Sequence, residues 1–363
     1  MKSMNRTAPL AVAACLLAAS LTSAIAGSGA YTVTDLGTLG GGVSGAFGIN
    51  ASGQVVGYAE TADSVNHAFL YSGGTMTDLG TLGGSNSTGN GINASGQVVG
   101  GAHTTDNATL QPFLYSGGTM TALGSLGGSY DLAFDINTSG QVVGYGHFTE
   151  NGDSHAFLYS GGTMTDLGTL GGASSGAYGI NTSGQVVGNT DIAVGESQAF
   201  LYSGGTMTPL GTFGGSNSNG LDINTSGQVV GYAETADLAS HAFLYSGGTM
   251  TDLGTLGGLN SYANGINDLG QVVGEAAITN EAGTHAFLYS GATMTDLNSL
   301  INPSLGWELL TASGINDAGQ IVGTGVVDGQ THAFLLTAVP EPSTGLIALG
   351  LVSTLIMRRR KNR

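Results

Sequence analysis

The side chains able to do chemistry in this 363-residue chain are few in kind, and they recur at fixed places. A histidine stands at His67, His155, His241, His285 and His332, with Gln111 and Gln198 at the same place in two further copies. Imidazole is a common metal ligand and proton carrier. Glutamine can replace it as a hydrogen-bonding group but is a poor substitute as a ligand. Copies spread evenly along a chain also do not meet unless the fold folds them onto one point. A hydrogen-bonding role is therefore the expectation for these histidines. An aspartate recurs at Asp35, Asp78, Asp166, Asp252 and Asp296, replaced by Ala122 and Pro209. Each stands just before a glycine-rich link, where a carboxylate caps a turn.

A second set of acids is not strictly repeated. Glu60 and Asp63, Asp106, Glu150 and Asp153, Asp191 and Glu196, Glu234 and Asp237, Glu281, and Asp328 fall in segments that vary in length and sequence between copies. These segments read as variable loops on a rigid scaffold, the arrangement from which binding surfaces are built. Ca²⁺, which prefers several oxygen ligands, is the cation they would suit. No segment has EF-hand spacing, and solvation of exposed turns accounts for the same acids.

Composition excludes several chemistries. All 7 basic residues lie at the ends: Lys2, Arg6, Arg358, Arg359, Arg360, Lys361 and Arg363. Nucleic acid is not an expected partner, because phosphate binding needs Lys or Arg to displace counterions. The single cysteine is Cys15, so the body has neither disulfide nor thiolate. The body offers no lysine for a Schiff base, no Gly-x-Ser-x-Gly elbow with a plausible triad and no phosphate loop. A carboxylate pair for glycoside hydrolysis is the one enzymic chemistry left open. No pair is singled out, and the chain is not expected to be an enzyme.

The elements that must carry these side chains are repeats. An Ile-Asn pair recurs with its asparagine at Asn50, Asn93, Asn137, Asn181, Asn224, Asn267 and Asn316, at spacings of 43, 44, 44, 43, 43 and 49. A Phe-Leu pair and a Leu after Thr-Asp recur in step with it. In the copy at 175–211, four short strands are expected: 176–181, 185–188, 199–203 and 206–210. The turns at Thr182-Ser183-Gly184 and Gly204-Gly205 suit hairpins. Four strands in about 43 residues is the size of one β-propeller blade. The body starts with an unpaired fourth strand at 31–36 and ends on a third strand at 332–336. The expectation is an all-β, seven-bladed propeller whose N-terminal strand completes the last blade and hides the sheet edges. An open β-solenoid of the same units is the alternative. The long connection at 298–312 holds the only tryptophan, Trp307, which is expected to plug the gap where the ring closes.

The ends read as addresses. Residues 1–26 have a basic start, an apolar stretch at 10–21 and the small-x-small site Ala24-Ile25-Ala26, which predicts signal peptidase cleavage between Ala26 and Gly27. The competing reading is a lipoprotein box ending at Cys15. At the other end Val339-Pro340-Glu341-Pro342 precedes an apolar run at 345–357 and the basic cluster Arg358, Arg359, Arg360, Lys361 and Arg363. The run is short for a membrane span of about 20 residues. The basic flank fits a tail held on the cytoplasmic side, with the body outside.

Two resemblances follow from these residues. Residues 339–363 resemble the PEP-CTERM sorting signal of Gram-negative bacteria. That implies recognition of Pro340, Glu341 and Pro342 by exosortase, a membrane protease that processes the tail. Residues 31–337 resemble the HAF family of extracellular repeats through His67-Ala68-Phe69, His155-Ala156-Phe157, His241-Ala242-Phe243, His285-Ala286-Phe287 and His332-Ala333-Phe334. Gln111-Pro112-Phe113 and Gln198-Ala199-Phe200 depart from the triplet. The resemblance implies an extracellular location and brings no established activity. The expected organisation is a signal peptide at 1–26, a repeat body at 27–338 and a sorting tail at 339–363. The precursor would be held by its C-terminal segment, then placed at the cell surface or in the extracellular matrix. Its partners would be the secretion machinery, signal peptidase, exosortase and an exopolysaccharide. A structural or adhesive role is expected, with a Ca²⁺- or polysaccharide-binding module as the alternative.

Overall fold

The structure is a computed structural model that describes residues 30–147, 152–279 and 283–340. Within them the chain folds into antiparallel units of four short strands. Strand β1 is Tyr31–Asp35. Then come β2–β5 (Gly40–Ile49, Val55–Thr61, Asn66–Ser72, Thr75–Asp78), β6–β9 (Gly83–Ile92, Val98–Thr104, Leu110–Ser116, Thr119–Ala122) and β10–β13 (Asp131–Ile136, Val142–His147, Ser154–Ser160, Thr163–Asp166). They are followed by β14–β17 (Ser175–Ile180, Val186–Ala193, Glu196–Ser203, Thr206–Gly211), β18–β21 (Gly214–Ile223, Val229–Thr235, Ser240–Ser246, Thr249–Asp252) and β22–β25 (Gly257–Ile266, Val272–Ile278, Thr284–Ser290, Thr293–Asp296). Last are β26–β28 (Glu308–Ile315, Ile321–Val327, Gln330–Ala338).

Local chemistry dictates each hairpin. Gly204 and Gly205 both take positive φ, +59° and +84°, as a tight two-residue turn between β16 and β17 requires. The glycine after each Val-Val pair answers a different demand. A Cβ on Gly188 would lie 1.8 Å from the Gly176 carbonyl oxygen, so only glycine lets the first two strands approach there. The third strands bury both faces: in β16, Ala199 and Phe200 are fully enclosed.

Five units stand as separate four-stranded sheets, and β14–β17 is joined to β18–β21 by a single parallel bridge, Ser197 to Asn217. One of the five is completed by β1, which runs antiparallel to β28 from Tyr31–Ala338 to Asp35–Phe334. The first strands of successive units adjoin one another in the order β2, β6, β10, β14, β18, β22, β26 and back to β2. The chain is therefore an all-β propeller of four-stranded antiparallel blades. The open solenoid is overturned, because it would leave β1 and β28 unpaired. Tight packing lies between blades: Val56, Ala68 and Leu79 of one meet Ile92, Val98, Ala102 and Phe113 of the next.

Trp307 stands edge-on to Phe334 with ring centroids 6.2 Å apart and packs on the core cluster between the β22–β25 unit and the last blade, not on the cluster that seals the last blade against β2 and β3, where it was expected to plug the ring. Among the described residues no helix is long and apolar enough to cross a membrane. The apolar run at 345–357 lies outside them.

Candidate functional site

The repeated histidines and aspartates meet in pairs. His67 Nδ1 donates to Asp78 Oδ2 at 2.8 Å, and the same bond joins His155 to Asp166, His241 to Asp252 and His285 to Asp296. The fifth pair, His332 with Asp35, spans the closure at 2.9 Å. The other role expected of the aspartate is present in the same group. Asp78 Oδ1 accepts the Gly80 N–H at 2.7 Å, and Asp35, Asp166 and Asp252 cap Gly37, Gly168 and Gly254 in the same way. Each pair lies between the third and fourth strands of its own blade, away from the ring of first strands. The pairs therefore do not converge on one reacting centre. Their pairing was visible in the sequence: the copies with Gln111 and Gln198 are the same two that carry Ala122 and Pro209.

The repeated asparagines do converge. Asn137 Nδ2 donates to Gln141 Oε1 at 2.8 Å and to the Asn181 carbonyl at 3.1 Å, while its Oδ1 accepts the Ser139 and Gln141 N–H groups. The inter-blade bond repeats from Asn50 to Asn93, Asn93 to Asn137, Asn181 to Asn224, Asn224 to Asn267 and Asn267 to Asn316. Asn316 then donates back to the Asn50 carbonyl at 3.0 Å. Turn composition explains why asparagine suits these places. It does not reveal that its amide also ties each blade to the next.

Two carboxylates stand above this belt. Asp135 and Asp222 occupy the residue before the repeated isoleucine, where the other copies have Gly48, Gly91, Gly179, Gly265 and Gly314. Asp135 accepts the N–H groups of Ile136, at 2.7 Å, and of Ile180 on the next blade, at 2.9 Å. Asp222 accepts those of Ile223 and Ile266 at the same distances. These N–H groups belong to the free inner edge of the first strands, and each carboxylate bridges two of them. Gly48, Gly91 and Gly314 offer no such acceptor to Ile49, Ile92 and Ile315. Burial raises the pKa of Asp135. Burial first, then the charge of Asp135, pushes Asp222 up to about 7, against the downward pull of its two N–H donors. Asp135 and Asp222 are both half-buried, and Asp135 lines, with Asp268, an axial pocket of about 230 Å³.

The acids assigned to variable loops require correction. Glu60, Asp191, Glu196 and Glu234 lie in strands β3, β15, β16 and β19, because the second and third strands run further toward their hairpin than the apolar pattern indicated. Three of them accept N–H groups at, or just before, the start of the first strand of their own blade. Glu60 Oε2 accepts Gly42 N–H at 2.6 Å, and Asp191 Oδ2 accepts Ser174 N–H at 3.2 Å. Glu234 takes Ser216 N–H, Asn217 N–H and Asn217 Nδ2. The side-chain amide of Asn217 is the main cause of its lowered pKa. Asp106 is lowered likewise, first by the Thr104 hydroxyl. Asp63, Asp153, Glu196 and Asp237 are exposed. Among the described residues no three His, Asp or Glu side chains are grouped to share a metal ion. Glu150 lies outside the described residues.

Of the sorting residues, Pro340 is exposed at the end of the described chain. Glu341, Pro342, Arg358, Arg359, Arg360, Lys361 and Arg363 lie outside the described residues, as do Ala26 and Gly27.

One device went unread in the sequence. A serine six residues before the belt asparagine accepts the alanine N–H of the preceding blade's third strand. Ala156 N donates to Ser175 Oγ at 2.9 Å, and Ser175 Oγ donates to the Gly168 carbonyl. Ser44, Ser87, Ser218 and Ser261 do the same for Ala333, Ala68, Ala199 and Ala242. Two junctions depart from it: Leu310 stands at the serine's place before Asn316, and the other departure carries the signal that could have exposed the device. Pro112, which has no N–H, replaces that alanine in the one blade followed by Asp131 instead of serine.

Similarity to other proteins is remote. TolB of Acinetobacter baumannii is 12% identical with a TM-score of 0.43, covering 93% of this chain and 72% of its own. AofleA of Arthrobotrys oligospora is 9% identical with a TM-score of 0.40, covering 87% and 91%. A lectin of Aleuria aurantia, solved with Fucα1-6GlcNAc, is 13% identical with a TM-score of 0.34, covering 86% and 97%. No curated protein matches the chain by sequence. Residues 128–256, from just before β10 to just before β22, match the family model described as a protein of unknown function (DUF3466).

Proposed function

We propose that this protein is an exported, seven-bladed ring that serves as a structural or adhesive module at the cell surface or in the extracellular matrix of a Gram-negative bacterium. A signal peptide ending at Ala26 delivers it. A PEP-CTERM tail beginning at Val339 sorts it, with exosortase acting on Pro340, Glu341 and Pro342. The HAF-type repeats form the ring itself, and the closed belt of asparagines supports the blade count.

One observation carries the reading. Val339 N–H donates to the Ala30 carbonyl at 2.9 Å, so the chain enters and leaves the ring at one point. The address-like segments begin where this bond ends, and the described residues between them form blades and their connections. Such a module hangs from a single place. The body between Thr7 and Met357 has no Lys or Arg, and its repeated acids are engaged with backbone N–H groups or exposed. Those features suit a display or matrix role better than turnover. Fractionation of cells with antibody against the ring tests this. The mature protein is expected in the surface or extracellular fraction, with Glu341→Ala trapping a longer, membrane-associated form. Recovery of the protein as a soluble cytoplasmic species would sink the proposal.

A further inference from the structure

The repeat breaks in several positions at once where the β6–β9 blade meets β10. Gly101 stands where other blades carry Tyr58, Tyr145, Asn189, Tyr232, Glu275 or Thr324. Gln111, Pro112 and Ala122 remove the His–Asp pair and the serine latch from the same blade, and Asp131 replaces the latch serine on the next. The missing side chain at Gly101 leaves a cleft of about 300 Å³ between the blades, about the lower end for a small-molecule pocket.

The cleft has two unlike walls. On the β10 side are the rings of Tyr130 and Phe134. Phe134 is fixed by Tyr145 and Tyr178, at centroid distances of 5.6 and 5.0 Å, and Tyr130 stands edge-on to His147 while 47% exposed. On the β6–β7 side are Asn86, Asn90 and His103. Asn90 spends its Nδ2 on the Ala133 carbonyl, which leaves its Oδ1 as an open acceptor. His103 Nδ1 faces the Asn107 carbonyl at 3.1 Å. A carbonyl can only accept, so Nδ1 holds the proton and Nε2 is the acceptor of the neutral ring. Among the described residues no Asp, Glu, Lys or Arg lines the cleft.

We infer that this cleft is a binding site for one residue of a neutral saccharide. Anchored aromatic rings beside open acceptors match a ligand that has an apolar C–H face and a rim of hydroxyl donors. The lack of lining charge disfavours anions and cations alike, since a charged ligand would be desolvated without a partner. The site belongs to the ring itself and does not depend on where the ring is delivered.

The test is saturation-transfer NMR on the full-length protein with glucose, galactose, mannose and N-acetylglucosamine, with glucuronate and glucosamine as charged controls. Transfer is expected from at least one neutral sugar and from neither charged one. Tyr130→Ala should weaken it by about tenfold. Gly101→Tyr, which installs the side chain of three other blades, should abolish it at an unchanged thermal midpoint. The added Cβ would touch Leu110 at ordinary contact distance and would displace the tip of the flexible Leu132 side chain. Should Gly101→Tyr fail to fold, the exposed Tyr130 carries the test alone. Absence of transfer from every neutral sugar, equal transfer from the charged controls, or full retention in Tyr130→Ala would each overturn the assignment.

Discussion

Asp222 is where a single residue most alters the behaviour expected of the ring. Its carboxyl is pushed up to about 7, chiefly by burial, whereas in the unfolded chain it titrates near 3.8. The folded state therefore holds the proton more tightly than the unfolded state. Its contribution to stability is fully present below about pH 4 and is lost as pH rises toward 7. Asp135, raised by burial as well, acts in the same direction. Chemical denaturation across that window should show stability falling as pH rises, and Asp222→Gly should flatten the slope. A slope unchanged in the variant would place the titration elsewhere. The residue type alone gives no hint of this. Asp135 and Asp222 look like scattered substitutions for glycine until the inner edges of the first strands are seen to present N–H groups in need of acceptors. The His–Asp pairs are different, because the same two copies lose both partners and the link can be read from the letters.

At the scale of the element, blades hold one another through cores and latches. The four strands of each unit were legible from the repeat, and so was the turn chemistry of Gly204-Gly205. Strand ends were less so. Glu60, Asp191 and Glu234 are polar, so the apolar pattern stops before them, yet their backbones continue the ladder while their side chains accept N–H groups at or just before the start of the first strand. The serine latch is a local prediction of its own. Ser175→Ala leaves the enclosed Ala156 N–H without its acceptor and should cost about 1–3 kcal/mol in equilibrium unfolding. Where Pro112 removes the latch, Asp131→Ser has no donor to engage. A loss at Ser175 no larger than for an exposed serine would mean that water replaces the latch.

For the whole molecule, closure is the controlling fact. The ladder of β1 on β28 joins residues about three hundred positions apart, and the asparagine belt closes with it between Asn316 and Asn50. Removing Tyr31–Leu36 should leave β28 as a bare edge and take Leu36 from the core it shares with Val322 and Leu335. Light scattering is expected to show concentration-dependent assembly, together with a lower thermal midpoint. A truncated protein that stays monomeric with the same midpoint would show that the ladder is dispensable. The count of repeats and the orphan strands at both ends made this closure readable. The belt was not, because its acceptors are backbone carbonyls of other copies.

That ladder also sets an order of events in time. β1 is the first strand of the ring to be synthesised and the last to find its partner, since β28 follows every other strand. Until then each completed blade belongs to an unfinished arc with two raw edges, free to pair with a neighbouring chain. Carriage across a membrane as an extended thread would postpone that exposure until the whole ring had arrived on one side, so the moment of release and the moment of closure would coincide.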